Sequence, residues 1–287
     1  MARDRFDLHT HSTASDGTLP PREVVSLAAE RGLAGLALTD HDTTDGLAEA
    51  IGMADALGIR CVPGVELSCY SPTAREAHLL GYFIDPDDAG LAELFAEMRA
   101  QRVDRASAIV ERVSRIAGPL TMDDVLGESG GAPPGRPHIA RAMVRLGIIE
   151  DVDHAFGDDW FGTGGRAFVP RDAMTLERGI DAIHAAGGVA VFAHPGARSK
   201  TGLREDAVRH AASLGLDGVE VDHPGHDGDV VERCAELATE LGLVQTAGSD
   251  DHGHGPDGSR LGCRTVPVRI IDALEARSRA LRASTSS

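Results

Sequence analysis

The chain has 287 residues, 42% hydrophobic and 25% charged, a composition that disfavours disordered and membrane-embedded classes. No apolar run approaches the roughly 20 residues needed to cross a bilayer, and the stretch Met1-Ala2-Arg3-Asp4-Arg5-Phe6-Asp7 has no hydrophobic signal core, so a cytoplasmic protein without membrane contact is expected. A formal charge of −17, from 45 acidic against 28 basic residues, argues against a basic face for duplex nucleic acid, yet leaves room for a small phosphorylated substrate held through bound cations.

The predicted elements begin with a strand at 6–8, a helix over 21–31 capped by Gly32, a strand at 35–39, a helix over 45–57 closed by Gly58, and a strand at 59–62. This βαβα order implies a largely parallel sheet with right-handed crossovers. Between residues 88 and 170 the rhythm changes to helices, led by one long amphipathic helix over 91–117 and interrupted by Pro119, Gly127 and the Gly/Pro-rich stretch 130–135. Alternation then resumes with a helix at 175–186, a strand at 189–193, a helix at 204–214, a strand at 218–221, a helix at 229–241 and a strand at 244–247. The organisation expected is one discontinuous α/β domain, 1–87 with 171–287, and a helical insertion, 88–170, covering its active site. The cysteines Cys61, Cys69, Cys234 and Cys263 form no Cys-X-X-Cys pair and are read as buried free thiols.

Histidines and carboxylates collect at the predicted strand ends, where α/β folds place their active sites. In Asp7-Leu8-His9-Thr10-His11-Ser12, residues two apart in an extended segment share a face, so His9 and His11 can present two imidazoles to one metal. A lone His-X-His pair is more often structural. Here it is joined by Asp16 in the following loop, Asp40-His41-Asp42 after the second strand, Glu66 after the third, Glu76-Ala77-His78, Ala193-His194-Pro195-Gly196, and Ser249-Asp250-Asp251-His252. No nucleophile elbow, P-loop or GxGxxG opening a helix is present, and no cysteine is paired with a motif histidine, which leaves a covalent nucleophile unsupported.

In this order the motifs resemble those of the PHP (polymerase and histidinol phosphatase) family of metal-dependent phosphoesterases. The branch they resemble is the stand-alone bacterial one with a helical insertion, whose members are similar to phosphatases of 3′,5′-bisphosphate nucleotides and to nucleases of short RNA 5′ ends. The resemblance covers nearly the whole chain and implies a distorted (β/α)7-type barrel. It also implies three divalent cations: one on His9, His11, Glu66 and Asp250, a second on Glu66, His78 and His194, and a third on Asp16, His41 and His252. Glu76 is the alternative to His78. A shared carboxylate would let two cations sit about 3.5 to 4 Å apart and clamp one hydroxide for attack on phosphorus. Nitrogen and oxygen donors fit Mn, Fe, Zn or Mg-assisted sites, with Mn favoured.

For the substrate phosphate, Arg136 and His138 in Gly135-Arg136-Pro137-His138 match a phosphate-contacting stretch of the family, and a guanidinium suits bidentate phosphate contact. His226 likewise resembles a phosphate-contacting histidine. His154, His184, His210 and His254 are given no role. The function expected is hydrolysis of phosphate monoesters of small nucleotides, or release of nucleotides from short 5′-phosphorylated RNA. The alternatives are a histidinol-phosphate phosphatase and a non-catalytic scaffold of the same fold.

Overall fold

In the computed structural model, which describes residues 4–72, 75–129, 134–157, 159–170, 174–197, 202–253 and 258–285, the alternation becomes one sheet wrapped by helices. In order come β1 (Arg5–Thr10), α1 (Pro21–Glu30), β2 (Gly35–Leu38), α2 (Leu47–Leu57), β3 (Arg60–Ser71) and β4 (Arg75–Tyr82). Four helices follow: α3 (Ala89–Ala117), α4 (Met122–Ser129), α5 (Arg136–Arg145) and α6 (Val152–Phe156). The chain then returns through β5 (Met174–Thr175), α7 (Leu176–Ala185), β6 (Val189–Phe192), α8 (Glu205–Ser213), β7 (Gly218–Asp222), α9 (Gly228–Leu241), β8 (Val244–Ala247), β9 (Val266–Pro267) and α10 (Val268–Thr285). Two compact units result, residues 1–92 with 173–287 and residues 93–172.

In the first unit the strands are ordered β8-β7-β6-β4-β3-β2-β1-β9, with β5 alongside β3. Strands such as β2 and β6 are buried along their whole length, which explains why they read as unbroken apolar runs: a parallel sheet covered on both faces has no polar side. The sheet curls towards closure where β8 exits beside β1. There Thr10 bridges Asp251 in parallel, and His11 N–H donates to Asp251 O at 2.9 Å. This nearly closed α/β barrel is the kind of fold that the family resemblance implied.

The third strand departs from expectation. β3 runs twelve residues, far beyond the four read from the sequence, and folds back on β4 as an antiparallel hairpin. β4 is antiparallel to β6 as well, and β9 is antiparallel to β1, while the pairings of β1 with β2, β2 with β3, β6 with β7 and β7 with β8 are parallel. Glu66 thus sits in mid-strand rather than at a strand end. The second unit is helical, with Val113, Val125, Ile139, Met143, Trp160 and Phe161 in its own core. Of the cysteines expected to be buried, Cys69 and Cys234 are, whereas Cys61 is only partly buried and Cys263 is exposed. Residues 130–133 and His254 lie outside the described residues. No helix among the described residues is long and apolar enough to cross a membrane.

Candidate metal centre and active site

Glu66 organises the site. Its backbone is fixed against the end of β2, donating to Asp40 O at 3.1 Å and accepting from Asp42 N–H at 3.0 Å. Its carboxylate is fully buried and meets five imidazoles. Oε1 lies 2.7 Å from His78 Nδ1 and 3.0 Å from His194 Nε2, while Oε2 lies 3.0 Å from His9 Nε2, 3.2 Å from His11 Nε2 and 3.4 Å from His41 Nδ1. Burial alone would raise this carboxyl, yet the surrounding histidines hold it well below the usual carboxylate range.

The hairpin register decides how the fourth strand reaches in. Glu66 pairs with Leu80 and Ser68 with His78, which sets His78 diagonally across from Glu66, within reach of its carboxylate; Glu76 lies opposite Tyr70, two residues further out. On β1, the pairs Asp7 with Leu36 and Thr10 with Leu38 leave Leu8 and His9 opposite Ala37 alone, a bulge of one residue. Such a bulge re-aims the side chains that follow, here sending Leu8 into the core and His9 and His11 into the site.

Among the described residues three donor clusters emerge: His9, His11, Glu66 and Asp250; His11, Asp16, His41 and His252; and His41, Glu66 and His78, with ligand atoms inside each cluster within 4.8 Å of one another. The first is the set that the family resemblance implied. The second adds His11 to the expected Asp16, His41 and His252, and the third places His41 beside Glu66 and His78, with His194 approaching Glu66 from the β6 side. All nine motif residues therefore converge on one place. His194 and Asp250 adopt positive φ of 29° and 49°, a costly backbone region for such residues and one that strained functional positions often occupy.

The donors fit bound cations for a specific reason. His11 Nδ1 and Nε2 and His41 Nδ1 are buried without a hydrogen-bond partner, although His11 Nε2 is only 3.2 Å from Glu66 and 3.3 Å from Asp250. Nitrogens and oxygens that close together yet misaligned for hydrogen bonding suit a shared cation. Without one, burial would lower His11, but its contacts with Asp250 and Glu66 win and push it up to about 9; burial also opposes His9, whose neighbours Glu220, Glu66 and Asp250 hold it well above its ordinary value. Asp250 is held far below the carboxylate range by the histidines, against its burial.

Several residues beyond the nine expected ligands support this centre. The buried Asp7 accepts from Gly262 N–H at 2.6 Å, Ser249 N–H at 2.9 Å and His9 N–H at 3.2 Å, tying β1 to the segments after β8. Asp40 accepts from Ser12 and Ser15 and so shapes the turn that carries Asp16. His223 Nδ1 accepts from Gly225 N–H at 2.9 Å, which leaves Nε2–H to face Asp250 Oδ2 at 3.3 Å. The sequence signal that could have found Asp7 and Glu220 is an acidic residue inside an apolar strand run, since a buried carboxylate requires partners.

His226 is a correction. Its Nδ1–H donates to Val221 O at 2.8 Å and its Nε2 accepts from Gly196 N–H at 3.0 Å, so both ring nitrogens are spent on backbone and none is left for a phosphate. His226→Ala should therefore lower the melting temperature by several degrees, because each buried group left unsatisfied costs about 1–3 kcal/mol. KM should hardly move; a selective rise in KM at unchanged stability would restore the substrate role. In the second unit, Arg136 opens α5 with its guanidinium 5.7 Å from the Phe156 ring centroid, and His138 Nδ1 caps the same helix by accepting from Gly135 N–H at 3.0 Å.

The PHP domain family matches residues 7–115. A 5′-3′ exoribonuclease of Haemophilus influenzae is 36% identical over 250 residues, 86% of this chain and 90% of that protein. The chain belongs to the PHP family. A 3′,5′-nucleoside bisphosphate phosphatase of Chromobacterium violaceum is also 36% identical, over 90% of both chains. Among solved structures, a metal-dependent phosphoesterase from Bifidobacterium adolescentis superposes with a TM-score of 0.77 at 34% identity, covering 95% of this chain and 96% of that one. This PHP protein is accordingly a hydrolase acting on phosphate esters, which sets aside the scaffold reading.

Proposed function

We propose that this PHP protein removes phosphate from small nucleotides such as 3′,5′-bisphosphates, or releases nucleotides from short 5′-phosphorylated RNA, using three divalent cations, preferably manganese, held by His9, His11, Asp16, His41, Glu66, His78, His194, Asp250 and His252. The observation that carries this reading is the set of five imidazole nitrogens within 3.4 Å of the two Glu66 oxygens. Both of the relatives named above act on phosphorylated nucleotides or RNA by their names, and the acidic balance of this chain suits a substrate with few phosphates. Duplex nucleic acid is not a substrate on this reading, and the cytoplasm is the compartment.

Bound cations supply neutralisation of phosphoryl charge and activation of water, which phosphate ester hydrolysis requires when no covalent nucleophile is present. The chain's own residues do the rest. Glu66 offers one oxygen to each side of the centre. Asp250, on the segment after β8 that also carries His252, is anchored by Arg260, whose guanidinium donates to Asp250 O at 2.5 Å. Arg136 and His138 of the helical unit are proposed to contact the substrate phosphate.

Phosphate release measured across mono- and bisphosphorylated nucleotides, histidinol phosphate and short 5′-phosphorylated RNA, with metal analysis of the same preparation, tests the reading. Fastest turnover of histidinol phosphate would overturn it. Arg136→Ala should raise KM for a bisphosphate about tenfold or more, the value of losing one charge-assisted phosphate contact, with a smaller effect on an aryl phosphate. Equal effects on both would remove Arg136 from the specificity role.

Metal uptake should also release protons. A cation needs neutral imidazole, and His11, pushed up to about 9 without metal, is protonated at pH 7. Apparent affinity should then rise with pH between 7 and 8, by about tenfold per unit for each proton released. Calorimetry in buffers of differing ionisation enthalpy reads that number, and zero protons released would contradict the charge state described.

A further inference from the structure

The strand β7 supplies none of the nine motif residues, yet it places a fully buried carboxylate against two of them. Glu220 Oε1 lies 3.0 Å from His9 Nδ1, and Glu220 Oε2 accepts from the His194 backbone N–H at 2.9 Å. His9 is thereby held between two carboxylates, with Glu66 Oε2 3.0 Å from the other ring nitrogen, Nε2. A neutral imidazole has one N–H and one lone pair. If the N–H is on Nδ1 it donates to Glu220, and the Nε2 lone pair then points at the cluster formed by His11, Glu66 and Asp250. If it were on Nε2, the lone pair would face the Glu220 oxygen and be lost to the centre.

We infer that Glu220 is a positioning residue for the metal centre: it fixes His9 as the Nδ1–H tautomer, so that Nε2 is the ligand atom, and with its second oxygen it holds the backbone of His194 in its strained conformation. This inference rests on the proposed use of His9 and His194 as ligands. Both Glu220 oxygens act as acceptors in this arrangement, which makes glutamine an informative replacement of nearly the same shape. Its single oxygen can serve His9 or His194 but not both. Its amide group must then either face the His194 N–H, donor against donor, or donate to His9 Nδ1 and drive the ring to the wrong tautomer. Outer partners of metal-bound histidines typically change metal affinity by about 10- to 100-fold.

The experiment is manganese and zinc binding to metal-stripped wild-type protein and Glu220→Gln, by competition with a chromophoric chelator, alongside the histidine 15N spectrum of the zinc-loaded wild type. The expected result is a 10- to 100-fold weaker affinity in the variant and a protonated Nδ1 on His9 in the wild type. Wild-type affinity in folded Glu220→Gln, or a protonated Nε2 on His9, overturns the inference. Should Glu220→Gln not fold, Glu220→Asp keeps both acceptor oxygens on a shorter arm; weakened metal binding in the folded aspartate variant supports the positioning role, and unchanged binding refutes it. Failure of the wild-type protein to bind either metal would overturn the metal reading of the site itself, a separate outcome.

Discussion

Replacing Glu66 by glutamine should abolish turnover and empty more than one metal position at once. The carboxylate touches imidazoles from β1, the end of β2, β4 and the end of β6, and its two oxygens serve different groups, His78 and His194 on one side and His9, His11 and His41 on the other. Glutamine keeps the shape and removes the charge. Its amide turns a pair of N–H donors towards one of those groups, where lone pairs must point inward to hold a cation. Charge stabilisation by clustered cations is worth several kcal/mol in a transition state, so kcat should fall by about three orders of magnitude or more. Bound metal, counted by elemental analysis, should drop by at least two per chain. A drop of one, with activity retained, would show that the two oxygens do not act on separate cations.

The second large effect should come from Gly248→Ala, a substitution of one methyl group. Gly248 follows β8 and lies against β1 so closely that a Cβ would stand 2.2 Å from His9 Cβ and 2.6 Å from His9 N. No rotamer relieves a clash with backbone, so β1 and β8 must part. That movement opens the barrel where His11 N–H meets Asp251 O and Ser249 N–H meets Asp7, and it displaces a proposed metal ligand. Overpacking of this kind costs about 3 kcal/mol or more, or roughly 6–12 °C of melting temperature in a chain of this size. Turnover should fall by at least about 100-fold, since displacements near 1 Å at reacting groups have that effect. Gly52→Ala in α2, where an added Cβ meets nothing within 4 Å, is the control and should leave activity intact while stabilising slightly. Comparable losses in both variants would mean that the contact with His9 is not the cause.

The composition, the βα alternation and the nine motif residues were legible in the amino-acid sequence, because each is a local property: apolar runs mark strands buried on both faces, and histidines spaced two apart share a face. The resemblance to PHP proteins then supplied the barrel and the grouping of distant residues, neither of which follows from spacing. Tertiary structure alone decided the rest. The hairpin of β3 and β4 was invisible because strand length and antiparallel return depend on long-range pairing, and that pairing makes Glu66 a mid-strand centre and brings His78 to it. The bulge at Leu8 and His9 depends on the register with Ala37 across the sheet. His226 resembled a phosphate-contacting histidine, and only the fold shows Gly196 and Val221 against its two nitrogens. Glu220 looked like one acidic residue in a strand, and its meaning required His9 and His194, 211 and 26 residues away in the chain, to fold onto its two oxygens. A hydrogen-bonding group carries its chemistry in the sequence, but its partners, and so its role, are set only when the chain closes around it.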